Sequence, residues 1–336
     1  MKPRIDPMKS IAIHIHRHGG PDVLGVVEVD VPPPAPGEVQ IRQTAIGLNF
    51  ADVYERKGAH GPHSAHGGAA FPITLGAQGA GVVTALGDGV TGLRVGQPVA
   101  CLQPGAYQVT RNVQAGWVIQ LPDGFSQEMA GANLLRGLTA EYLLRRLYVV
   151  RPGDAVLVHA AAGGMGVILS QWARALGATV IGTVGSDEKA AVAIENGCHH
   201  VIHYGREDFV ARTLEFTGGA GVAVVYDAVG KDVFVPSLAC LKTRGIAVNY
   251  GTASGDVEGF DLQLLHAKSL SVCRPTLRSF IAEPAELRAG AAALFGAVAE
   301  GTLRLEVKHR YALADVQRAH RELEGRATTG APVLIP

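Results

Sequence analysis

Beyond Pro152, short apolar runs alternate with stretches whose apolar residues recur at helical spacing. The runs are Ala155–His159, Ala178–Val184, Val201–His203, Val222–Tyr226, Gly245–Tyr250 and Leu270–Cys273. Each is short and bounded by turn residues, as buried strands are. Between the first two, Ile168, Trp172 and Leu176 share one helical face, and Gly177 stops the segment. After the second, Ser186 stands as a helix N-cap and Gly197 as the helix end. Strand alternating with helix predicts a doubly wound parallel α/β sheet with helices on both faces. The tail predicts a helix over Pro284–Glu300, a strand near Leu303–Val307, a helix near Ala314–Leu323 and a last strand at Val333–Ile335.

The first 130 residues have a different rhythm. Ser10–Ile15, Val39–Ile46 and Gly79–Leu86 read as short strands. Turn punctuation is dense, with PPPAPGE starting at Pro32 and GDGVTGLRVGQPV at Gly87. Gly58–Pro72 is small and polar and reads as a surface loop. A β-rich part therefore precedes the α/β part, and 336 residues fit two domains.

Composition narrows the function classes. Lys plus Arg and Asp plus Glu both number 30, so no broad basic surface for nucleic acid or anionic lipid is expected. No apolar run reaches the roughly 20 residues that span a bilayer. The N-terminal MKPRIDPMKS lacks the apolar core of a secretory signal, and a cytoplasmic protein is expected. Cys101, Cys198, Cys240 and Cys273 form no C-x-x-C pair, which argues for buried thiols rather than a zinc knuckle or redox dithiol. His60, His63 and His66 share one loop and read as solvated, because no regular element fixes their geometry for a metal. His14, His16 and His18 read as one exposed face, and His159 as structural.

The stretch VHAAAGGMG, Val158–Gly166, follows a strand and opens a helix, the context that a dinucleotide-binding glycine loop requires. Ala161 takes the first glycine slot; Gly163 lets the backbone approach a pyrophosphate and Gly166 lets helix pack on strand. The next strand ends TVGS, Thr183–Ser186, without the carboxylate that would hold the ribose 2′-hydroxyl of NAD. Small residues there, with Lys189 three positions on, favour the 2′-phosphate of NADPH. Asp187 and Glu188 fall in the first turn of the following helix, where the helix dipole favours them.

A set of motifs carries a family likeness: HGGPDVL (His18–Leu24), AIGLNFADVYERKG (Ala45–Gly58), LRGLTAEYLL (Leu135–Leu144), HAAAGGMG (His159–Gly166), ALGATVIGTVGS (Ala175–Ser186), VVYDAVG (Val224–Gly230), RPTL (Arg274–Leu277) and RAHRELEGRATTGAPVLIP (Arg318–Pro336). In these the chain resembles the zinc-less quinone oxidoreductases of the medium-chain dehydrogenase/reductase superfamily, the group that includes zeta-crystallin. The resemblance implies a GroES-like catalytic domain over residues 1–135, a Rossmann NADP-binding domain over 136–275, and a return to the catalytic domain over 276–336. It also implies a homodimer. Zinc members carry Cys in the slot of Asn49 and His-Glu in the slots of Ala77 and Gln78, so no metal site is implied here. Related chains often carry Glu where this one has Gln78 and Tyr where it has His60.

The resemblance further assigns cofactor contacts. Asn49 sits near the nicotinamide ribose, while Thr139 and Tyr142 open a helix under the cofactor. Gly163, Gly164, Met165 and Gly166 cradle the pyrophosphate, and Ser186, Lys189 and Tyr204 take the 2′-phosphate and adenosine side. Asn249, Tyr250 and Gly251 offer backbone groups to the nicotinamide end, with Arg274 and Leu277 nearby and Arg326 reaching the phosphates. Without a Lewis acid, hydride transfer suits acceptors that are already electron-poor. An NADPH:quinone reductase is therefore expected, with Tyr54 as proton donor, Asn49 as orienting amide and Asp52 as a structural partner within its loop. Two alternatives stand beside it: a reductase of activated alkenes such as enones or enoyl thioesters, and a non-catalytic NADPH-binding or RNA-binding protein like zeta-crystallin relatives.

Overall fold

The computed structural model describes residues 8–59, 70–325, 328 and 330–336. The chain divides into two units, Met1–Leu135 with Leu305–Pro336, and Arg136–Arg304. His60, His63, His66 and Arg326 lie outside the described residues.

The first unit begins with strands β1 (Met8–Ile15), β2 (Gly25–Val31) and β3 (Glu38–Gly47), then helix α1 (Phe50–Lys57). Strands β4 (Ile73–Thr74), β5 (Gln78–Leu86), β6 (Pro98–Leu102), β7 (Thr110–Gln114) and β8 (Val118–Gln120) follow. Alternation is visible in β2, where every second residue faces inward or toward solvent. The chain leaves this unit within helix α2 (Gln127–Tyr142).

The second unit carries the alternating pattern: β9 (Ala155–Val158), α3 (Gly164–Ala175), β10 (Thr179–Val184), α4 (Asp187–Glu195), β11 (His200–His203), α5 (Phe209–Phe216), β12 (Val222–Asp227), α6 (Phe234–Cys240), β13 (Leu241–Asn249) and β14 (Ser271–Cys273). Six parallel strands line up as β11-β10-β9-β12-β13-β14. The order reverses between β9 and β12, the switch point where open α/β sheets bind ligands beyond their strand ends. β12 is buried along its whole length, as a central parallel strand must be. Leu157, Ile181, Ile202, Val225, Leu238 and Leu241 fill one core layer; each contributes about 1.5–3 kcal/mol by leaving water.

Helices α7 (Leu277–Phe280) and α8 (Pro284–Ala299) also belong to the second unit, so the return falls at Leu305 and not at 276. The reason is packing: α8 buries Leu287, Ala291 and Leu294, and Leu294 lies against Gly137 of α2. Back in the first unit come β15 (Val307–Ala312), α9 (Val316–Glu324) and β16 (Ala331–Ile335). The strand expected near Leu303–Val307 is thus displaced. Leu303 N–H donates to Ala297 O at 3.0 Å and Arg304 N–H to Gln171 Oε1 at 2.7 Å, which takes these amides away from any ladder. The first unit's larger sheet runs β15-β16-β3-β5-β6-β8 with β7 on β3; β2, β1 and β4 form a second. Ile13, Ile15, Ile46, Leu48, Val53, Leu75 and Leu334 share its main core.

Candidate active site and cofactor groove

The loop after β9 is shaped by three backbone bonds. His159 N–H donates to Tyr226 O (3.0 Å), Ala161 N–H to Thr183 O (3.0 Å), and Gly163 N–H to Ala160 O (2.9 Å). Ala160 takes a positive φ of 54° to make the turn. Gly163 then caps α3 without a side-chain bond, and the first-turn amides of Gly164, Met165 and Gly166 keep donors for an anion. A Cβ on Gly166 would stand 2.4 Å from Ala160 O and 2.6 Å from Ala161 Cα, so only glycine lets the helix start lie on the loop. Ala161 in the first slot is accommodated by the neighbouring strand. Gly182 leaves open the space its own Cβ would take, 2.6 Å from Ala161 Cβ. That glycine on β10 was the readable signal, and it lay outside the motif.

His159 is buried beneath the loop between Thr183 Oγ1 (Nδ1, 3.0 Å) and Ser237 Oγ (Nε2, 2.8 Å). Ser237 donates its hydroxyl to Val233 O at 2.6 Å, so it accepts from Nε2–H, and Nδ1 accepts from Thr183. Burial lowers the imidazole to about 3 and keeps it neutral. The structural role expected for His159 fits this placement.

At the end of β10, Ser186 caps α4 and its Oγ accepts from Lys189 N–H at 3.3 Å. The Ser186 hydroxyl also bonds Glu188 and holds that carboxyl below its usual range. Tyr204, half exposed beyond β11, brings its hydroxyl over Gly185, where a Cβ would come within 2.4 Å. Asp187 does more than face a helix dipole: Arg206 donates to Oδ1 at 3.0 Å and to Oδ2 at 3.1 Å. Sequence reasoning missed Arg206, because only the parallel pairing of β10 with β11 brings it there.

The ends of β12 and β13 are stitched by Asp227. Its carboxylate accepts from Val229 N–H (2.6 Å), Gly230 N–H (3.0 Å) and Asn249 Nδ2 (2.9 Å). Burial raises this carboxyl, against the pull of those donors and of Arg274. Asn249 Nδ2 also donates to Gly251 O at 2.9 Å, and Arg274 donates to Asn249 O at 3.1 Å. The side chains of Asn249 and Arg274 therefore shape the Asn249–Gly251 backbone. Thr139 and Tyr142 do not open a helix; they end α2, which starts at Gln127. Tyr142 is buried and stacks on Phe280 with centroids 4.2 Å apart, and burial pushes its phenol up. Leu277 begins α7. Thus Gly163–Gly166, Ser186, Lys189, Tyr204, Asn249–Gly251 and Arg274 all lie at the carboxyl edge of one parallel sheet.

In the first unit, Asn49 caps α1 and is 3% exposed. Its side-chain nitrogen and oxygen are both buried without a hydrogen-bond partner among the described residues, a costly state unless a ligand completes it. Tyr54 stands one turn on and partly exposed, its ring 6.2 Å from Phe50. Asp52 lies in the first turn of α1 and not in a loop; it accepts from Asn49 N–H (2.8 Å) and, 55 positions away in sequence, from the Tyr107 hydroxyl (3.2 Å). Behind it runs a buried chain unseen in the sequence. Tyr107 Oη meets His320 Nε2 at 3.0 Å, His320 Nδ1 meets Arg56 Nη1 at 3.0 Å, and Arg56 Nη2 meets Glu324 Oε2 at 2.8 Å. Arg56 only donates, so Nδ1 accepts and the proton sits on Nε2. Burial first, then the Arg56 charge, lower His320 to about 3.

Gln78 is fully buried, donates to Ala132 O at 3.1 Å and accepts from Leu135 N–H. Gly47 makes room for it, since a Cβ there would lie 2.0 Å from Gln78 Nε2. Among the described residues no three His, Cys, Asp or Glu side chains gather as metal ligands.

Two family models match the chain: the alcohol dehydrogenase GroES-like domain over residues 35–150 and the zinc-binding dehydrogenase domain over residues 164–296. A quinone oxidoreductase of Salmonella typhimurium is 47% identical over 329 residues, covering 96% of this chain and 99% of its own. A 2-haloacrylate reductase of Burkholderia sp. is 44% identical, covering 97% of this chain and 99% of its own. Among solved structures, an Escherichia coli quinone oxidoreductase complexed with NADPH superposes with a TM-score of 0.92 at 44% identity, covering 97% of this chain and 100% of that one.

Proposed function

The chain belongs to the quinone oxidoreductases of the medium-chain dehydrogenase/reductase family, and from that premise we propose that it is an NADPH-dependent reductase of small quinones. One observation carries the reading: the uncapped start of α3, the Ser186–Lys189–Tyr204 cluster and the Asn249–Gly251 backbone share one sheet edge at a switch point. The donor set suits a phosphorylated dinucleotide, with amides for the pyrophosphate, Lys189 and hydroxyls for the 2′-phosphate, and backbone groups for the carboxamide.

When bound, NADPH supplies a hydride from its reduced nicotinamide. The protein's own residues do the rest. Gly163–Gly166 fix the pyrophosphate, and Asp227, through Asn249, holds the backbone that receives the nicotinamide end. Arg274, Leu277, Thr139, Tyr142 and Arg326 support the same cofactor. The unsatisfied amide of Asn49 orients cofactor ribose or substrate. Tyr54 donates the proton that accompanies hydride arrival at the quinone, neutralising the developing oxyanion. A cytoplasmic homodimer completes the proposal: β14 edges its sheet, and Leu262 and Leu264 are exposed nearby in sequence.

The test titrates the protein with NADPH and NADH, adds a small quinone and follows nicotinamide absorbance. Quinone-dependent oxidation with NADPH preferred is expected; indifference to both nucleotides would overturn the reading. The likeness to 2-haloacrylate reductase supports a second reading, reduction of an activated alkene on the same site. Side-by-side turnover of a quinone and an acrylate or enone separates the two.

A further inference from the structure

We infer that Arg206 sets the cofactor choice by masking Asp187, so that a loop carrying a carboxylate still accepts a 2′-phosphate. The inference rests on the proposed NADPH reading and names a residue that determines its specificity. Asp187 directly follows Ser186, at the start of α4, beside the residues assigned to the 2′ side. A bare carboxylate there selects against phosphate by repulsion and offers its oxygens to ribose hydroxyls, the recognition that favours NADH. In this chain neither oxygen is bare. The guanidinium of Arg206 occupies Oδ1 and Oδ2 together, at 3.0 and 3.1 Å, in the two-pronged geometry that an arginine fork matches and a lysine does not.

The topology fixes the pairing. β10 and β11 are adjacent and parallel, with Val184 opposite His203, so the turns that follow them run side by side. Asp187 starts the helix after one strand, and Arg206 lies three residues beyond the end of the other. Arg206 N–H donates to His203 O at 2.9 Å, which holds its backbone in that turn. Both side chains are well exposed, at 65% and 69%. An exposed pair of this kind contributes little to folding, so its removal is read in binding and not in unfolding.

The experiment measures NADPH and NADH dissociation constants by nicotinamide fluorescence, at low and high salt, for the parent protein, Arg206→Ala, Asp187→Asn and the double variant. Circular dichroism melts serve as the folding control. Arg206→Ala is expected to weaken NADPH roughly 10-fold at low salt, the scale for one uncovered carboxylate near a doubly charged phosphate in water. NADH affinity should hold or improve. The double variant should return NADPH to within about 2-fold of the parent, since no charge is left to mask. High salt should shrink the Arg206→Ala effect. Equal weakening of both nucleotides, or no weakening, would overturn the inference. So would a double variant as weak as Arg206→Ala, because Arg206 would then grip the phosphate directly. A parent protein that binds neither nucleotide would overturn the cofactor reading itself, a result distinct from all of these.

Discussion

Two buried imidazoles tie the stability of each unit to pH. His159 in the second unit and His320 in the first are both lowered to about 3 from an ordinary 6.5. Above pH 6.5 each is neutral folded and unfolded, and costs nothing. As pH falls, the unfolded chain gains a proton that the native state refuses, so stability is present above 6.5 and is lost on the way down to about 3. Integrating proton uptake by the unfolded histidine from pH 7 to pH 5 gives about 2 kcal/mol lost per site. The chain has two tryptophans, Trp117 in the first unit and Trp172 in the second. Trp172→Phe leaves Trp117 to report on the first unit, and Trp117→Phe leaves Trp172 to report on the second. Urea unfolding of these variants at pH 7, 6 and 5 then reads each unit separately. Adding His320→Gln should flatten the pH dependence of the Trp117 signal by about 2 kcal/mol over this range and leave the Trp172 signal unchanged. His159→Gln should do the reverse. His14 and His199 add to the slope in both backgrounds and cancel in the comparison. A His320→Gln protein whose first unit keeps the full acid sensitivity of its parent would refute the reasoning.

Other outcomes follow from the same geometry. Tyr107→Phe removes the hydroxyl between Asp52 and His320 and leaves two buried groups short of a partner, so unfolding free energy should fall by about 1–3 kcal/mol in denaturant titration. Gly166→Val forces a side chain into the Ala160 carbonyl, and NADPH titration should show binding lost while NADPH-independent melts drop by a few degrees. Tyr54→Phe should lower kcat for a small quinone by roughly 10²-fold or more with little change in NADPH affinity; unchanged turnover removes the proton-donor role. Gln78→Glu replaces a donor to Ala132 O with a buried acceptor and should lower the melting temperature at pH 8 more than at pH 5, where the carboxyl accepts a proton more easily.

What could be read from the sequence was local or periodic. The glycine loop, the Ser186 cap and the alternation from Ala155 to Cys273 each depend on residues within a turn or two of one another, and the strands and helices fall where that spacing puts them. Contacts closed by the fold were out of reach. Arg206 meets Asp187 only because β11 joins β10, and His320 meets Arg56 across 264 positions. The Leu303–Val307 expectation failed because Leu303 and Leu305 alternate like a strand, but the Leu303 and Arg304 amides are taken by Ala297 O and Gln171 Oε1. Thr139 and Tyr142 were misplaced although the start of α2 is marked: Ser126 stands just before Gln127, and its Oγ accepts from Met129 N–H at 3.1 Å, the cap of a helix that runs on past Thr139. For Asn49, the motif indicated a site, but its two orphaned polar atoms are visible only in three dimensions.

The late return of the chain bears on how the molecule is made. β16 pairs with β3, Val333 opposite Gly47, and α9 delivers His320 to the interior laid down around Arg56. The first unit is therefore begun first and finished last, while the second unit emerges from the ribosome as one uninterrupted stretch able to form its sheet during synthesis. Until β16 and α9 are made, β3 lacks its partner at Ile46 and Gly47, although β5 and β7 already pair with it, and Arg56 has no imidazole, so a nascent chain exposes an unfinished sheet end to chaperones and proteases.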